Sequence, residues 1–447
     1  MGFRWQLLYL FLLTNAFAYV ALRAAVSYWI REKAARRRAL RGLHIGLLLL
    51  NLPLVALFVR RLNSAMADVP TSLLEIVFYP SAAWLATIIA FFILAGPLAL
   101  LWGLFKLVRM LRRSRRSASF PAAAGERTYS RSNAHANRAP VISRRQFVAG
   151  SAGLLVPGMY AVAAYGTYGN MGDLDISKEQ VIPIPKLPRS LDGLRIVQIS
   201  DLHVGPYIRN RELRRIVGEV NRLRPDVVVI TGDILDWDLS SMPDAVSGLE
   251  GIESPLGIFA VLGNHDIYAD RYSFDRKNRG GVEIAKGMET IGIRTLRNEV
   301  VELGDGPDRL ALMGLDWLSP SPSTPNFFRY MQKETRRQLS HMSALVAAEV
   351  PKVLLAHHPD TFGDAVSYNI GLTLSGHTHG GGQVLVGTWN GIPLGIGLLR
   401  FKYLSGLYQE GGLSLYVNRG IGYLGVPIRI NCPPEISTLR LTLPANS

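Results

Sequence analysis

The stretch Thr231-Gly-Asp-Ile-Leu-Asp236 decides the reading of this 447-residue chain. It follows the branched apolar run Val227-Val-Val-Ile230, so a buried strand ends where Asp233 enters a turn. Four other runs end in the same way. Arg195-Ile-Val-Gln-Ile-Ser200 leads into Asp201-Leu-His203, and residues 258–262 lead into Gly263-Asn-His-Asp266. Val353-Leu-Leu-Ala356 leads into His357-His-Pro-Asp360, and residues 372–375 lead into Gly376-His-Thr-His379. An amphipathic helix is expected over residues 211–223, with others near 282–291 and 327–349. Strand, helix, strand implies an α/β fold.

Six of the nine histidines sit at these strand ends, each within two or three residues of a carboxylate, an amide or a second histidine. Side chains at i and i+2 of an extended segment share a face, so Asp201 with His203, and His377 with His379, can each present two ligands to one place. A donor set of Asp, His and Asn without thiolate suits Mn²⁺, Fe or Zn²⁺ rather than Ca²⁺, with Mn²⁺ favoured and copper not. The single cysteine, Cys432, excludes an intrachain disulfide and a cysteine-based zinc site.

With these motifs in hand, the chain resembles the calcineurin-like metallophosphoesterase superfamily. The superfamily pattern D-x-H, G-D-x-x-D, G-N-H-D, H and G-H-x-H is present in full and in order between Asp201 and His379. Within it, Gly376-His-Thr-His-Gly-Gly381, Asn418-Arg-Gly-Ile-Gly422 and Arg429-Ile-Asn-Cys-Pro-Pro-Glu435 look most similar to membrane-associated bacterial phosphodiesterases of the YkuE/YaeI type. The resemblance implies a four-layer α/β/β/α sandwich over residues 171–447, preceded by a helical membrane region. It implies two divalent metal ions, one held by Asp201, His203 and His379, the other by Asn264, His357 and His377, with Asp233 bridging. His265 would then be the proton donor to the leaving group, with Asp266 orienting it. Two cations roughly 3.5 to 4 Å apart polarise a phosphoryl oxygen and acidify a shared water, which then attacks phosphorus. His357 rather than His358 is the expected ligand because the family pattern reads H-x-P. The third glycine of Gly380-Gly-Gly382 departs from the usual two and leaves the direction of Gln383 open.

The amino-terminal part is of a different kind. Residues 5–22 with a tail to 30, 43–59 and 82–104 are apolar and near the ~20 residues that span a bilayer, giving three transmembrane helices within residues 1–113. Residues 1–170 hold 21 Lys and Arg against 4 Asp and Glu, whereas residues 171–447 hold 28 against 30. The basicity of the chain therefore lies in its apolar half, and a nucleic-acid partner is not expected. Basic segments at 31–38 and 106–145 stay cytoplasmic by charge, although Arg60 and Arg61 oppose this orientation. Residues 114–142 are a Ser-, Ala- and Arg-rich linker too poor in apolar residues to fold alone. Residues 143–170 begin Ser143-Arg-Arg-Gln-Phe-Val148 and continue Gly- and Ala-rich, which reads either as a twin-arginine export signal with its machinery as partner or as a fourth membrane helix. Either one carries the catalytic part across a plasma (inner) membrane.

These features point to a membrane-anchored metallophosphoesterase with an extracytoplasmic catalytic domain, hydrolysing a phosphodiester or pyrophosphate bond in a lipid-linked or cell-envelope substrate. His358 and Arg419 are candidate substrate contacts, and the aromatic, Pro-rich run from Trp317 is either a wall of the site or a cover for the sheet edge. Between Trp389 and Leu404, apolar residues mixed with Arg400 and Lys402 suit either anionic lipid or a hairpin packed on the core. Two rivals remain: a cytoplasm-facing hydrolase of a nucleotide-linked lipid precursor, such as a UDP-diacylglucosamine, and a non-catalytic membrane scaffold. The scaffold predicts missing ligands, and none is missing.

Overall fold

The computed structural model describes residues 2–59, 73–117, 144–169, 174–269, 279–306, 308–318, 324–389 and 392–444. The linker from residue 118 to 142, together with Arg60 and Arg61, lies outside them. The chain divides into two units, Met1–Val55 with Pro80–Ala164, and Ala56–Tyr79 with Tyr165–Ser447.

The first unit is helical. Helices α1 (Gly2–Trp29), α2 (Lys33–Val59), α3 (Tyr79–Ser117) and α4 (Arg144–Tyr168) supply it. Phe11, Leu54, Trp84, Ile88, Phe91 and Val156 form its core, and Trp84 Nε1 donates to Asn15 Oδ1 at 3.1 Å. Leu12, Leu13, Leu48, Leu49, Leu98 and Leu101 are exposed, so both sides of these helices are apolar. A helix that is apolar all round needs an apolar surrounding. Residues 8–29, 33–55 and 75–110 are long and apolar enough to cross a membrane. Helix α4 opens on two arginines and continues as an uncharged, Gly- and Ala-rich run.

The second unit opens with β1 (Asp175–Ile176), β2 (Gln180–Pro183) and β3 (Arg195–Ile199), then α5 (Asn210–Arg222) and β4 (Val227–Thr231). Next come α6 (Met242–Leu249), β5 (Ile258–Val261), α7 (Asn264–Ile267), α8 (Arg279–Glu289) and β6 (Ile293–Thr295). The second half holds β7 (Glu299–Asp305), β8 (Asp308–Leu315), α9 (Phe327–Ala344), β9 (Lys352–Ala356), α10 (Phe362–Ala365) and β10 (Leu372–Ser375). It closes with α11 (His379–Gly382), β11 (Leu385–Trp389), β12 (Ile392–Gly395), β13 (Gly406–Glu410), β14 (Leu413–Val417) and β15 (Glu435–Thr442).

One sheet has the order β1-β15-β3-β4-β5-β6, with β2 also on β15; the other runs β13-β14-β10-β9-β8-β7. Alternation along the central strands builds the layers. In β4, Val227 and Val229 join Val353, Leu355, Leu372 and Leu374 between the sheets. Val228 and Ile230 face the other way, onto Leu213, Ile216, Val217 and Val220 of α5. Likewise Leu354 and Ala356 of β9 turn to Leu339 and Met342 of α9. Helix, sheet, sheet, helix is therefore the observed order, as the resemblance implied.

The α5 pattern shows why this works. Its buried positions fall at i, i+3, i+4 and i+7, giving one apolar stripe worth about 1.5 to 3 kcal/mol per side chain on burial. Glu212 reaches back to the Arg209 backbone N–H at 3.1 Å and caps its start. It stops where Arg224 turns left-handed at φ 49 ahead of Pro225.

Candidate metal centre

All the motif side chains leave the carboxyl ends of parallel strands, β3, β4 and β5 in one sheet and β9 and β10 in the other. Gln198, in β3, ties the two sheets together beneath them: its Nε2 donates to Thr231 Oγ1 and to the Ser375 carbonyl, each at 2.9 Å. Asp201, His203, Asp233, His377 and His379 adopt left-handed backbone, with φ 50, 45, 52, 71 and 48. Such backbone is strained in a residue with a Cβ, so the surrounding fold must hold it there.

Among the described residues three donor clusters result. Asp201, His203 and His379 offer ligand atoms to one point, and Asp233, His357 and His377 to another; His203, Asp236 and His265 form the third. His203 Nε2 lies 2.9 Å from His379 Nε2, and His379 Nε2 lies 3.4 Å from Asp201 Oδ1. In the second cluster His377 Nδ1 lies 3.2 Å from His357 Nε2. Asp233 Oδ2 stands between the clusters, 3.7 Å from His203 Nε2 and 3.1 Å from His357 Nε2. His357 Nδ1 is 2.7 Å from the Thr231 carbonyl; as donor there it turns the Nε2 lone pair toward the cluster. Gly232 permits this approach. A Cβ there would sit 2.4 Å from His357 Nδ1, and its φ of 93 suits glycine.

These residues fit a pair of divalent cations. Asn264 Oδ1 is buried without a hydrogen-bond partner, and the His203 and His379 Nε2 atoms face one another at 2.9 Å. Asn264 sits at the start of α7, where its amide oxygen can join the second cluster. Burial pushes the Asp233 carboxyl up, but His357, His265 and His203 outweigh it and hold the group well below the usual carboxylate range. Burial lowers His357, and the Asp233 carboxylate reverses this, carrying it up to about 9. Burial, then the charge of His357, keeps His377 well below its ordinary value and so neutral.

His265 does not meet Asp266. Its Nδ1 lies 3.1 Å from Asp236 Oδ1, the second acid of the Thr231–Asp236 stretch, which also faces His203 Nδ1 at 3.5 Å. Asp266 instead accepts the backbone N–H groups of Leu235 and Gly263, both at 2.9 Å, as the third residue of a capped helix. Burial and the Asp233 charge push Asp266 up to about 7. The G-D-x-x-D spacing was the available signal for Asp236, and sequence adjacency obscured it.

Arg419 is paired within the protein. Its Nε bonds Glu435 Oε2 at 2.7 Å and a terminal nitrogen bonds Asp175 at 2.5 Å, so two carboxylates occupy its fork. Arg429, fully buried, holds the carbonyls of Gly420 and Gly422 at 3.0 and 2.5 Å. Gln383 accepts from Leu424 N at 2.8 Å and so points into the carboxyl-terminal loop, away from the donor clusters. His358 is half-buried at the mouth, its Nδ1 accepting from Asp360 N at 3.2 Å. Burial, His357 and Arg400 push it down to about 4, leaving a neutral ring.

Aromatic rings wall the site. Trp237 lies 3.9 Å from the His265 ring, Trp317 5.3 Å from His377, and Phe401 5.3 Å from His377, all between ring centres. Trp317 follows Asp316, which Arg297 clamps with two nitrogens at 2.9 and 2.7 Å, so the wall stands on a fixed base.

Comparison with known proteins gives the family. A family model described as calcineurin-like phosphoesterase matches residues 194–381. The uncharacterized metallophosphoesterase YkuE of Bacillus subtilis (strain 168) is 32% identical over 312 residues, covering 67% of this chain and 98% of its own. A Danio rerio transmembrane protein with metallophosphoesterase domain is 35% identical over 268 residues, 58% of this chain and 56% of its own, so the match spans about half of that relative. UDP-2,3-diacylglucosamine pyrophosphatase LpxG of Chlamydia trachomatis serovar D is 28% identical over 58% of this chain and 86% of its own. The chain belongs to the calcineurin-like phosphoesterase family and is a metallophosphoesterase, a hydrolase of phosphoester bonds.

Proposed function

We propose that this protein is a membrane-anchored, dinuclear metal-dependent enzyme that hydrolyses a phosphodiester or pyrophosphate bond in a lipid-linked or cell-envelope substrate. The observation that carries the reading is Asp233 Oδ2, within 3.7 Å of one imidazole cluster and 3.1 Å of the other. Asp201, His203 and His379 would hold one cation, and Asn264, His357 and His377 the other. Mn²⁺ is the preferred metal because the donors are carboxylate, imidazole and amide, with Fe or Zn²⁺ as substitutes. When bound, the cations supply Lewis-acid polarisation of a phosphoryl oxygen and the acidity that makes water a nucleophile near neutral pH. Asp236 holds His265 by Nδ1, which leaves Nε2 to hold a proton toward the departing oxygen. Trp237 and Trp317 exclude water from the reacting groups and offer flat faces to the substrate.

Three apolar helices support anchoring through several crossings of the plasma membrane, and the arginine segments support an extracytoplasmic catalytic unit. The arginine pair at the start of α4 supports export by a twin-arginine route or a further crossing. The name of the chlamydial relative favours a second reading, cleavage of a nucleotide-linked diacyl sugar on the cytoplasmic side. Full-length protein in detergent, stripped of metal and restored with Mn²⁺, should cleave bis-p-nitrophenyl phosphate, and Asp233→Asn should not. Metal-independent turnover, or turnover surviving in Asp233→Asn, would rule the reading out.

A further inference from the structure

The run after β12 forms a short tip beside the donor clusters. Leu398 and Leu399 are 42% and 89% exposed, and Arg400, next in line, is exposed too. A leucine this bare at the edge of a catalytic cleft has lost most of the benefit of burial and calls for an apolar surrounding.

The tip is rigidly based. Arg400 N and Phe401 N both donate to the Gly397 carbonyl, at 2.9 and 2.8 Å. Gly397 packs backbone to backbone on Gly381, since a Cβ on Gly397 would sit 2.7 Å from the Gly381 Cα. Gly381 belongs to α11, the turn that begins with His379, and Phe401 lies against His377 and His358 at 5.3 and 5.8 Å. The hairpin β11–β12 that presents the tip is joined by Leu385 N to the Ile430 carbonyl at 2.9 Å. The tip is thus coupled to the metal-site turn.

Charge selects the occupant. Arg400 leans on the Phe401 ring, its guanidinium carbon 5.3 Å from the ring centre, and Lys402 lies over Tyr403 at 4.8 Å. Both cations are exposed, and Arg400 is the one that directly follows the leucines. Two bare leucines followed by an arginine match an anionic lipid surface, with the leucines among acyl chains and the guanidinium at phosphate level.

We propose that Leu398 and Leu399 insert into the lipid interface with Arg400 on anionic headgroups, so that the metal site opens onto the membrane surface and takes phosphoesters presented there. This rests on the site reading above and adds the face from which substrate arrives.

The test uses the full chain reconstituted in phosphatidylcholine vesicles with and without phosphatidylglycerol. Cys432 is buried, so an environment-sensitive fluorophore on Leu399→Cys, with Glu283→Cys as control, reports one position each. The 399 label should be quenched by nitroxide lipids at least about twofold more than the 283 label and be shielded from aqueous iodide. Arg400→Ala should reduce that advantage in the phosphatidylglycerol vesicles. Equal lipid quenching at both positions, iodide quenching at 399, or protection from both quenchers would overturn the proposal, the last by showing protein over the tip. Soluble bis-p-nitrophenyl phosphate is assayed on the same samples: turnover without lipid quenching sinks this inference alone, whereas no metal-dependent turnover in the unlabelled chain sinks the site reading.

Discussion

Asp236 and Asp266 each close a motif, G-D-x-x-D and G-N-H-D, and only contacts separate their roles. Asp236 touches two imidazoles, whereas Asp266 spends both oxygens on backbone N–H groups. Asp236→Asn should therefore lower kcat by about 10- to 100-fold, with an altered pH–rate profile and an unchanged Tm, because it disturbs the group that orients His265. Asp266→Asn should lower Tm, by about 1 to 3 kcal/mol in stability, since one amide N–H must then face a buried backbone N–H. The reverse pattern, measured by steady-state kinetics and thermal melts on both variants, would restore Asp266 as the partner of His265. Arg419→Ala should likewise cost about 3 kcal/mol while leaving KM for a soluble diester unchanged, because it strands Glu435, whose side chain is 3% exposed. A raised KM with an unchanged melt would make it a substrate contact after all. The donor types and their order were readable because each sits in a short local motif. The partners of His265 and Arg419 were not, because Asp236 and Glu435 are 29 and 16 residues away and only folding brings them near.

The same division holds for whole elements. The five ligand-bearing strands are legible because branched apolar runs with a period of two leave little else to form, and β3, β4, β5, β9 and β10 end at the motifs. Helix α8 covers Arg279–Glu289 and α9 covers Phe327–Ala344, close to the periodic stretches that announced them. What periodicity does not carry is the backbone of the turns after the strands, where five donors adopt positive φ. Gly232 shows the dependence. Gly232→Ala places a methyl 2.4 Å from His357 Nδ1 and forces an L-residue to φ 93, at a cost of about 1 kcal/mol from the backbone alone. The His357 ring must then leave the Thr231 carbonyl, so Mn²⁺ affinity measured by calorimetry should fall by about 10- to 100-fold, with a modest drop in Tm. Unchanged metal binding in a folded Gly232→Ala protein would remove His357 from the ligand set.

At the scale of the molecule, charge and apolarity are segregated along the chain, and that segregation bears on which side of a membrane the chemistry occurs. The helical unit carries an excess of Lys and Arg, concentrated in residues 31–38 and 106–145, while the catalytic part is nearly balanced. Arginines beside apolar helices resist transfer across the bilayer, so both segments are expected on the cytoplasmic side. The outcome for the catalytic part then turns on α4. It is 25 residues long and uncharged after its leading arginines, enough to cross. A chain that cannot leave Arg144 and Arg145 outside, and has no further arginine between them and Arg189, is expected to pass α4 outward. Alkaline phosphatase fused after Ser447 should consequently be active in intact cells, and a fusion of a fluorescent protein that matures only in the cytoplasm should be dark. Replacing Arg144 and Arg145 by Lys separates the two outward routes. Twin-arginine export needs the arginines themselves and should fail, whereas a simple crossing needs only positive charge and should keep the reporter active. A dark phosphatase and a bright fluorescent fusion in the unaltered chain would put the metal site on the cytoplasmic side, and with it the cleavage of a nucleotide-linked lipid.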